Sequence, residues 1–127
     1  MAHKSVKMTF DASAGKATGA HRLGTLPGGA TIRQVYIDVD TTFTDGASDT
    51  ATIALGYTGA AEAFDAAIAI SDGSNPWDAA APRVSVGAAD GAVGNFIELT
   101  SSVDVLATVA TAALTAGKLD LVIEYDV

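Results

Sequence analysis

The sequence contains no cysteine, and its 127 residues include only three prolines and one tryptophan. Without cysteine the chain has no disulfides, no thiolate ligands for a metal and no thiol nucleophile. Its apolar runs are short, and Ser, Asp or Gly interrupts them well before the length of about 20 residues that a membrane helix needs. These absences predict a single non-membrane domain spanning residues 1–127 that is stabilised by packing and, we expect, by assembly.

Basic residues are also scarce, since seven lysines and arginines stand against fifteen acids and give a formal net charge of −8. This balance argues against a nucleic-acid partner, because binding to phosphates needs clustered Lys and Arg side chains. The few bases are unevenly distributed: residues 1–33 carry a net charge of +4 and residues 34–127 a net charge of −12. The first segment also has no apolar stretch behind its positive charges, so a cleaved secretory signal is not expected.

We interpret residues 1–20 as a basic arm or a first strand. An acidic neighbour, either a second copy or a larger scaffold, would attract this basic segment. The alternative is that the segment packs on the acidic part of its own domain. The bases that we expect to contact a partner are Lys4, Lys7, Lys16 and Arg22.

Apolar and polar residues alternate with a period of two along much of the chain, which is typical of half-buried strands. Turn-forming segments such as Pro27–Gly29 and Ala89–Gly91 separate these stretches. Short strands at this spacing predict an antiparallel β-sandwich or a barrel. The predicted strands are Ser5–Phe10, Ile32–Asp40, Ile53–Tyr57, Arg83–Gly87, Phe96–Ser101, Val103–Leu114 and Leu119–Tyr125.

The alanine-rich stretch Gly59–Ile70 departs from this pattern. Alanine, Glu62 and Phe64 give it a helical propensity, so we predict one short helix near residues 60–68. The last part of the stretch, Ala67–Ile70, is equally compatible with a strand.

Acidic loops are the first candidate for a binding site. Asp38 with Asp40, Asp45 with Asp49, and the segment Asp72–Asn75 offer carboxylate oxygens of the kind that Ca²⁺ prefers. None of them matches a twelve-residue calcium loop. Turn chemistry explains the same residues more simply, so we predict no metal or other cofactor.

A hydrolytic site is the second candidate. Ser5 or Ser13 can be combined with His21 and Asp11 as nucleophile, base and orienting acid. However, the sequence has no Gly-x-Ser-x-Gly elbow, and these residues fall in a polar segment. We therefore predict that the protein is not an enzyme.

The single tryptophan, Trp77, lies in a loop beside Pro76. An exposed tryptophan there would stack on a sugar, with Tyr57 as a second platform, or anchor a protein interface. The alternative is that Trp77 fills one end of the core, as the lone tryptophan of a small domain often does.

Three segments resemble small structural proteins of tailed-bacteriophage virions, in particular capsid decoration (cement) proteins. The segments are Leu23–Ile32, then Val35–Phe43 followed by Ala51–Gly56, and finally Leu114–Tyr125, and together they cover about half of the chain in order. The resemblance implies a jelly-roll-like β-sandwich without enzyme activity that is made in the host cytoplasm. It also implies a homotrimer or a dimer that binds the major capsid protein on the outer surface of the virion.

Two alternatives stay open at this point. The first is a glycan-binding β-sandwich module that uses Trp77, Tyr57 and the acidic loops. The second is a structural component of a phage tail or fibre.

Overall fold

The structure is a computed structural model that describes residues 2–79, 82–86 and 96–127. In these ranges the chain forms nine strands and no helix, and all strand pairs are antiparallel. This confirms the predicted all-β class. The strands are β1 (His3–Asp11), β2 (Gly19–Leu26), β3 (Thr31–Asp45), β4 (Thr52–Tyr57), β5 (Ala60–Ala69), β6 (Arg83–Val86), β7 (Ile97–Glu98), β8 (Val103–Ala110) and β9 (Leu114–Asp126).

The strands form two sheets that share one core. The first sheet has the order β1-β9-β3-β6, with β7 also paired to β3, and the second has the order β2-β8-β4-β5. β9 lies between β1 and β3 and pairs with both along nearly its whole length. This arrangement is consistent with the predicted antiparallel sandwich.

Alternation within the strands builds the core. Ile37 of β3 and Leu121 of β9 are fully buried on the inner face of the first sheet, and Ile53, Leu55 and Val105 are fully buried in the second. Successive residues of a strand point to opposite faces, so their neighbours lie on the outward faces. Burial of each large aliphatic side chain stabilises the fold by roughly 1.5–3 kcal/mol.

Aromatic side chains fill one end of the sandwich. The rings of Phe10 and Phe43 are stacked with centroids 5.7 Å apart, and Trp77 meets Phe43 edge-on at 6.5 Å. Gly117 allows this packing, because a Cβ atom there would lie 2.2 Å from the Phe43 ring. Its φ of +128° is also a conformation that residues with side chains rarely adopt.

The predicted helix near residues 60–68 is wrong, because this stretch is strand β5 and pairs with β4. Phe64 is buried in the core, where it contributes to the sandwich rather than to a helix face. The two strands approach closely at Gly56, where a Cβ atom would lie 2.2 Å from the carbonyl oxygen of Ala60. Pairing and close packing therefore override the helical propensity of alanine.

Other predicted elements match in part. The stretch Val103–Leu114 contains β8, as predicted, while the predicted strand Phe96–Ser101 is reduced to the two residues of β7. β2 is an addition, because no strand is predicted from the sequence between Phe10 and Ile32. Gly87, at the end of a predicted strand, and the predicted turn Ala89–Gly91 lie outside the described residues.

The described part of the chain contains no helix of the length and apolarity that crossing a membrane requires.

Candidate functional site

The four bases predicted to contact a partner lie on two strands and a loop. Lys4 and Lys7 belong to β1, Arg22 belongs to β2, and Lys16 lies between them, where its backbone pairs with that of Leu114. The structure thus distributes them over both sheets.

Two of these bases are paired with acids of their own chain. The Lys7 Nζ atom lies 3.6 Å from the Asp120 carboxylate, and the Arg22 Nε atom donates to Asp104 at 3.1 Å. Such packing of the basic segment on its own acidic domain is the alternative weighed from the sequence. A role in partner binding stays a prediction for Lys4, Lys7, Lys16 and Arg22.

The structure places Trp77 inside the protein, with 0% of its surface exposed. Its indole nitrogen donates to the carbonyl oxygen of Ile68 at 3.1 Å, and its backbone oxygen accepts from the amide of Phe43. Tyr57 is half-buried and packs against Phe64. Trp77 therefore presents no face to a sugar or to a partner in this chain, and it occupies the core position that we considered as the alternative.

The acidic loops are organised by backbone hydrogen bonds. The Asp45 carboxylate accepts from the backbone amides of Ala47, Asp49 and Ala51 at 2.8 to 3.0 Å. These bonds, chiefly the one from Ala51, lower the pKa of Asp45. The geometry is that of a side chain closing its own turn.

Asp72 has the same role, since its carboxylate accepts from the amide and the hydroxyl of Ser74. These two bonds lower the pKa of Asp72. Within the described residues, no group of three or more His, Asp or Glu side chains is arranged to hold a metal ion.

The residues of the hypothetical hydrolytic site have other partners. The Asp11 carboxylate accepts from the backbone amide of Ser13 at 2.9 Å, and this bond is the largest cause of its lowered pKa. The Nε2 atom of His21 lies 2.7 Å from the carbonyl oxygen of Ala17, and its ring packs beside Phe10. Through these contacts the Asp11 side chain organises the turn after β1, and the His21 ring packs against β1.

An open pocket of about 290 Å³ lies on the outward face of the first sheet, and sequence reasoning missed it. Its lining residues come from three strands and from the residue before β7. We call this the Phe96 pocket, and it is lined by His3, Arg33, Gln34, Phe96 and Glu124.

Strand register explains how these distant residues meet. His3 lies opposite Asp126 in the pairing of β1 with β9, and Gln34 lies opposite Glu124 in the pairing of β3 with β9. The register between β3 and β9 shifts between Ile32 and Gln34, so Arg33 is an extra residue on β3. Such a bulge redirects a side chain. Here the guanidinium lies over the Phe96 ring, 4.8 Å from its centroid.

The charged groups around the pocket are paired with one another. Asp126 accepts from Arg33 Nη1 at 2.9 Å and lies 3.1 Å from His3 Nδ1, while His3 Nε2 is 3.5 Å from Glu124. The contacts with His3 and then Arg33 lower the pKa of Asp126. The Arg33 side chain is therefore held in place before any ligand arrives.

Gln34, which lines the pocket, is held by its neighbour Tyr36. The Tyr36 hydroxyl donates to the Gln34 side-chain oxygen. Burial raises the pKa of Tyr36, and the charge of the nearby Glu124 carboxylate raises it further. Phe96 has 48% of its surface exposed at the mouth of the pocket. The site thus combines an exposed aromatic ring with fixed polar groups, which is suited to ligand binding.

No family model matches the chain, and no curated protein matches it. Among solved structures, the fold is that of chains from bacteriophage capsids. A chain of the acid-stable capsid of Helicobacter pylori bacteriophage KHP30 has a TM-score of 0.67 at 19% identity, with 98% of this chain and 87% of that chain covered.

Two further capsid chains are similar to the same degree. A chain of the cyanophage Pam1 capsid has a TM-score of 0.66 at 21% identity, covering 97% of this chain and 83% of that one. A chain of the Ralstonia phage GP4 capsid has a TM-score of 0.64 at 20% identity, covering 98% and 83%. At these identities the likeness establishes the shared fold.

Proposed function

We propose that this protein is a non-enzymatic bacteriophage decoration (cement) protein that binds the outer surface of the head and stabilises contacts between major capsid subunits. The observation that carries the proposal is the near-complete overlap with capsid chains, at TM-scores of 0.64 to 0.67 over 97–98% of this chain. This chain also spans 83–87% of each of them, so they are only slightly longer.

We also infer that the sandwich is a jelly roll. With the two-residue β7 set aside, eight strands remain. Their order is first, eighth, third and sixth in one sheet, and second, seventh, fourth and fifth in the other. This order fits the double Greek key of an eight-stranded jelly roll, a fold common in viral capsids.

Charge supports a position on the outside of the shell. The net charge is −8, and four acids, Asp38, Asp120, Glu124 and Asp126, lie along neighbouring strands of the first sheet. A chain with this net charge is repelled by DNA phosphates inside a capsid. The proposed contacts are with the major capsid protein and with further copies of the chain, as a homotrimer or a dimer.

The proposed mechanism is mechanical. A shell presents the same docking site many times, and an oligomer that engages several sites at once gains an effective concentration that raises weak binding by roughly 10²–10⁴-fold. Clamping adjacent subunits in this way would raise the temperature at which the shell ruptures.

The test is to add the purified protein to capsids assembled from the major capsid protein alone. We expect saturable co-sedimentation and a higher rupture temperature. A Lys4→Glu/Lys16→Glu variant should bind more weakly, because it reverses two of the predicted contact charges. These two bases are preferred because Lys7 and Arg22 already pair with their own domain. Lys118→Glu reverses one charge outside the basic segment, half the charge change of the double variant, and serves as the control.

Absence of binding to such capsids would contradict the proposal. Location of the protein on the tail by labelled antibodies in electron micrographs would also contradict it and would favour a tail or fibre component.

A further inference from the structure

We propose that the Phe96 pocket is a binding site for a neutral saccharide. This function is separate from capsid attachment and does not depend on it. The site differs from the one considered from the sequence, since neither Trp77 nor Tyr57 takes part.

The aromatic ring supplies the first element of recognition. Phe96 and Val127 are the exposed large hydrophobic side chains in the described part of the chain, with 48% and 38% of their surfaces exposed. Arg33 covers one side of the Phe96 ring at 4.8 Å. An exposed aromatic face offers apolar contact area at a low cost in side-chain entropy. The C–H face of a pyranose ring is a flat apolar surface of matching size.

Fixed hydrogen-bonding groups supply the second element. The Gln34 side-chain oxygen accepts from Tyr36, which orients the amide so that its two N–H groups serve as donors. Arg33 uses Nη1 for Asp126, and a guanidinium carries five N–H donors in all. The Glu124 carboxylate is an acceptor on the same wall. Donors and acceptors side by side match the paired hydroxyls of a sugar, each of which both donates and accepts.

The charge pattern selects a neutral ligand. Arg33 and Glu124 both line the pocket, and Asp126 and His3 pair with them. An anion would lie close to the two carboxylates, and a cation would lie close to the guanidinium. A neutral polyol avoids both repulsions while it uses both kinds of hydrogen-bonding group.

Size limits the ligand to one or two sugar rings. The cavity of about 290 Å³ is at the small end of ligand sites, which span roughly 300–1,000 Å³. The pocket is also open, so further rings of a longer glycan would extend into solvent.

The experiment is a titration of the full isotope-labelled chain followed by NMR. The probes are lactose, cellobiose and N,N′-diacetylchitobiose, with sorbitol as an acyclic polyol that has no flat apolar face. We expect saturable shifts at the amides of His3, Gln34, Phe96 and Glu124 with at least one sugar and none with sorbitol. The dissociation constant should be on the order of 1 mM, as for a small ligand at an open site.

Substitutions then test the role of the ring. Phe96→Ala should weaken sugar binding about tenfold, while Phe96→Trp should retain it. Val127→Ala removes the other exposed apolar side chain, outside the pocket, and should leave binding unchanged. Both positions are exposed, so the variants are expected to fold, which their NMR spectra verify.

Three results would overturn the proposal: no saturable shift with any of the three sugars, equal shifts with sorbitol, or unchanged binding in Phe96→Ala. N-acetyl-lysine methylamide provides a fourth comparison. If it binds the pocket more tightly than the sugars do, the site is an anchor for a basic side chain of a protein partner, and the saccharide assignment is wrong. None of these results bears on co-sedimentation with capsids.

Discussion

The outward faces of the two sheets are built in opposite ways. On the first sheet, neighbouring strands place Asp38 beside Asp120 and Gln34 beside Glu124, and Lys7 of β1 lies 3.6 Å from Asp120. On the second sheet, the corresponding rows join Ala20, Thr108 and Ala54, and then Arg22, Leu106 and Gly56. The first face therefore carries most of the charged pairs. The second carries the Arg22–Asp104 pair and, on β4, the small residues Ala54 and Gly56, and at Gly56 the backbones of β4 and β5 lie close together.

This difference decides how each face responds to change. Paired charges depend on pH and salt, and each exposed pair contributes little to stability. Close backbone packing depends on neither, but it tolerates no added atoms. We therefore expect pH and salt to change the stability of the first sheet. We expect small substitutions that add atoms to destabilise the second sheet.

The largest effect is expected on the second face, from Gly56→Ala. The new Cβ atom would lie 2.2 Å from the Ala60 carbonyl oxygen and 2.4 Å from the Ala61 carbonyl carbon, and these backbone atoms cannot move without opening β4 from β5. We expect a loss of about 3 kcal/mol in the free energy of unfolding, measured by denaturant titration.

Gly24→Ala is the matched control for Gly56→Ala. Its Cβ atom would also meet a close neighbour, at 2.8 Å, but that neighbour is the terminal methyl of the Met8 side chain. Methionine adjusts readily, so the loss should stay below about 1 kcal/mol. Equal losses in the two variants would mean that β5 does not lie against Gly56 as described.

The same close approach explains where prediction from the sequence failed. Alternation located β1, β3, β4 and β9, because their apolar residues face the core at every second position. In Ala60–Ala69, alanine occurs on both faces of the strand, so hydrophobicity does not alternate along the sequence. The stretch pairs closely with β4 at Gly56, and this glycine lies outside the stretch. β2 was hidden in a different way, since its register shifts between Arg22 and Gly24 and breaks the alternation.

The Phe96 pocket was beyond sequence reasoning for a related reason. The alternation in β9 places Glu124 and Asp126 on one face, and that much is visible in the sequence. Their partners His3, Arg33 and Phe96 lie far away along the chain and meet them only through the strand order and the bulge at Arg33. Neither of these features is encoded in a local pattern.

A smaller effect is expected on the first face, from Asp126→Asn. The pKa of Asp126 is lowered in the folded protein, chiefly by His3 and then by Arg33. A lowered carboxyl pKa contributes stability above the unfolded-state pKa, and this contribution is lost as the pH falls through the folded-state pKa. The variant should therefore be less stable than the wild type at pH 7 and equally stable in strong acid.

Thermal unfolding of the two proteins between pH 7 and pH 2 measures this difference. Glu98→Gln, which removes an exposed charge from β7 of the same sheet, is the control and should keep the wild-type pH dependence. A gap between Asp126→Asn and the wild type that stays constant down to pH 2 would show that the carboxylate charge is not what stabilises this face.

The smallest effect is expected from Asp38→Asn, and it has the opposite sign. Asp38 of β3 lies directly opposite Asp120 of β9, and like charges in such a cross-strand pair are destabilising. Thr9 donates to Asp120 at 2.7 Å and Lys7 lies 3.6 Å away, which offsets part of the repulsion. We therefore expect a gain of about 0.5 kcal/mol in the free energy of unfolding at low salt, which should shrink in 1 M NaCl as the charges are screened.

Asp40→Asn is the control. It removes an equal charge two residues along the strand, where the register skips a position, and should give no such gain. The gain could instead persist at high salt or appear equally in Asp40→Asn. Either result would mean that repulsion between Asp38 and Asp120 is not what destabilises the first sheet.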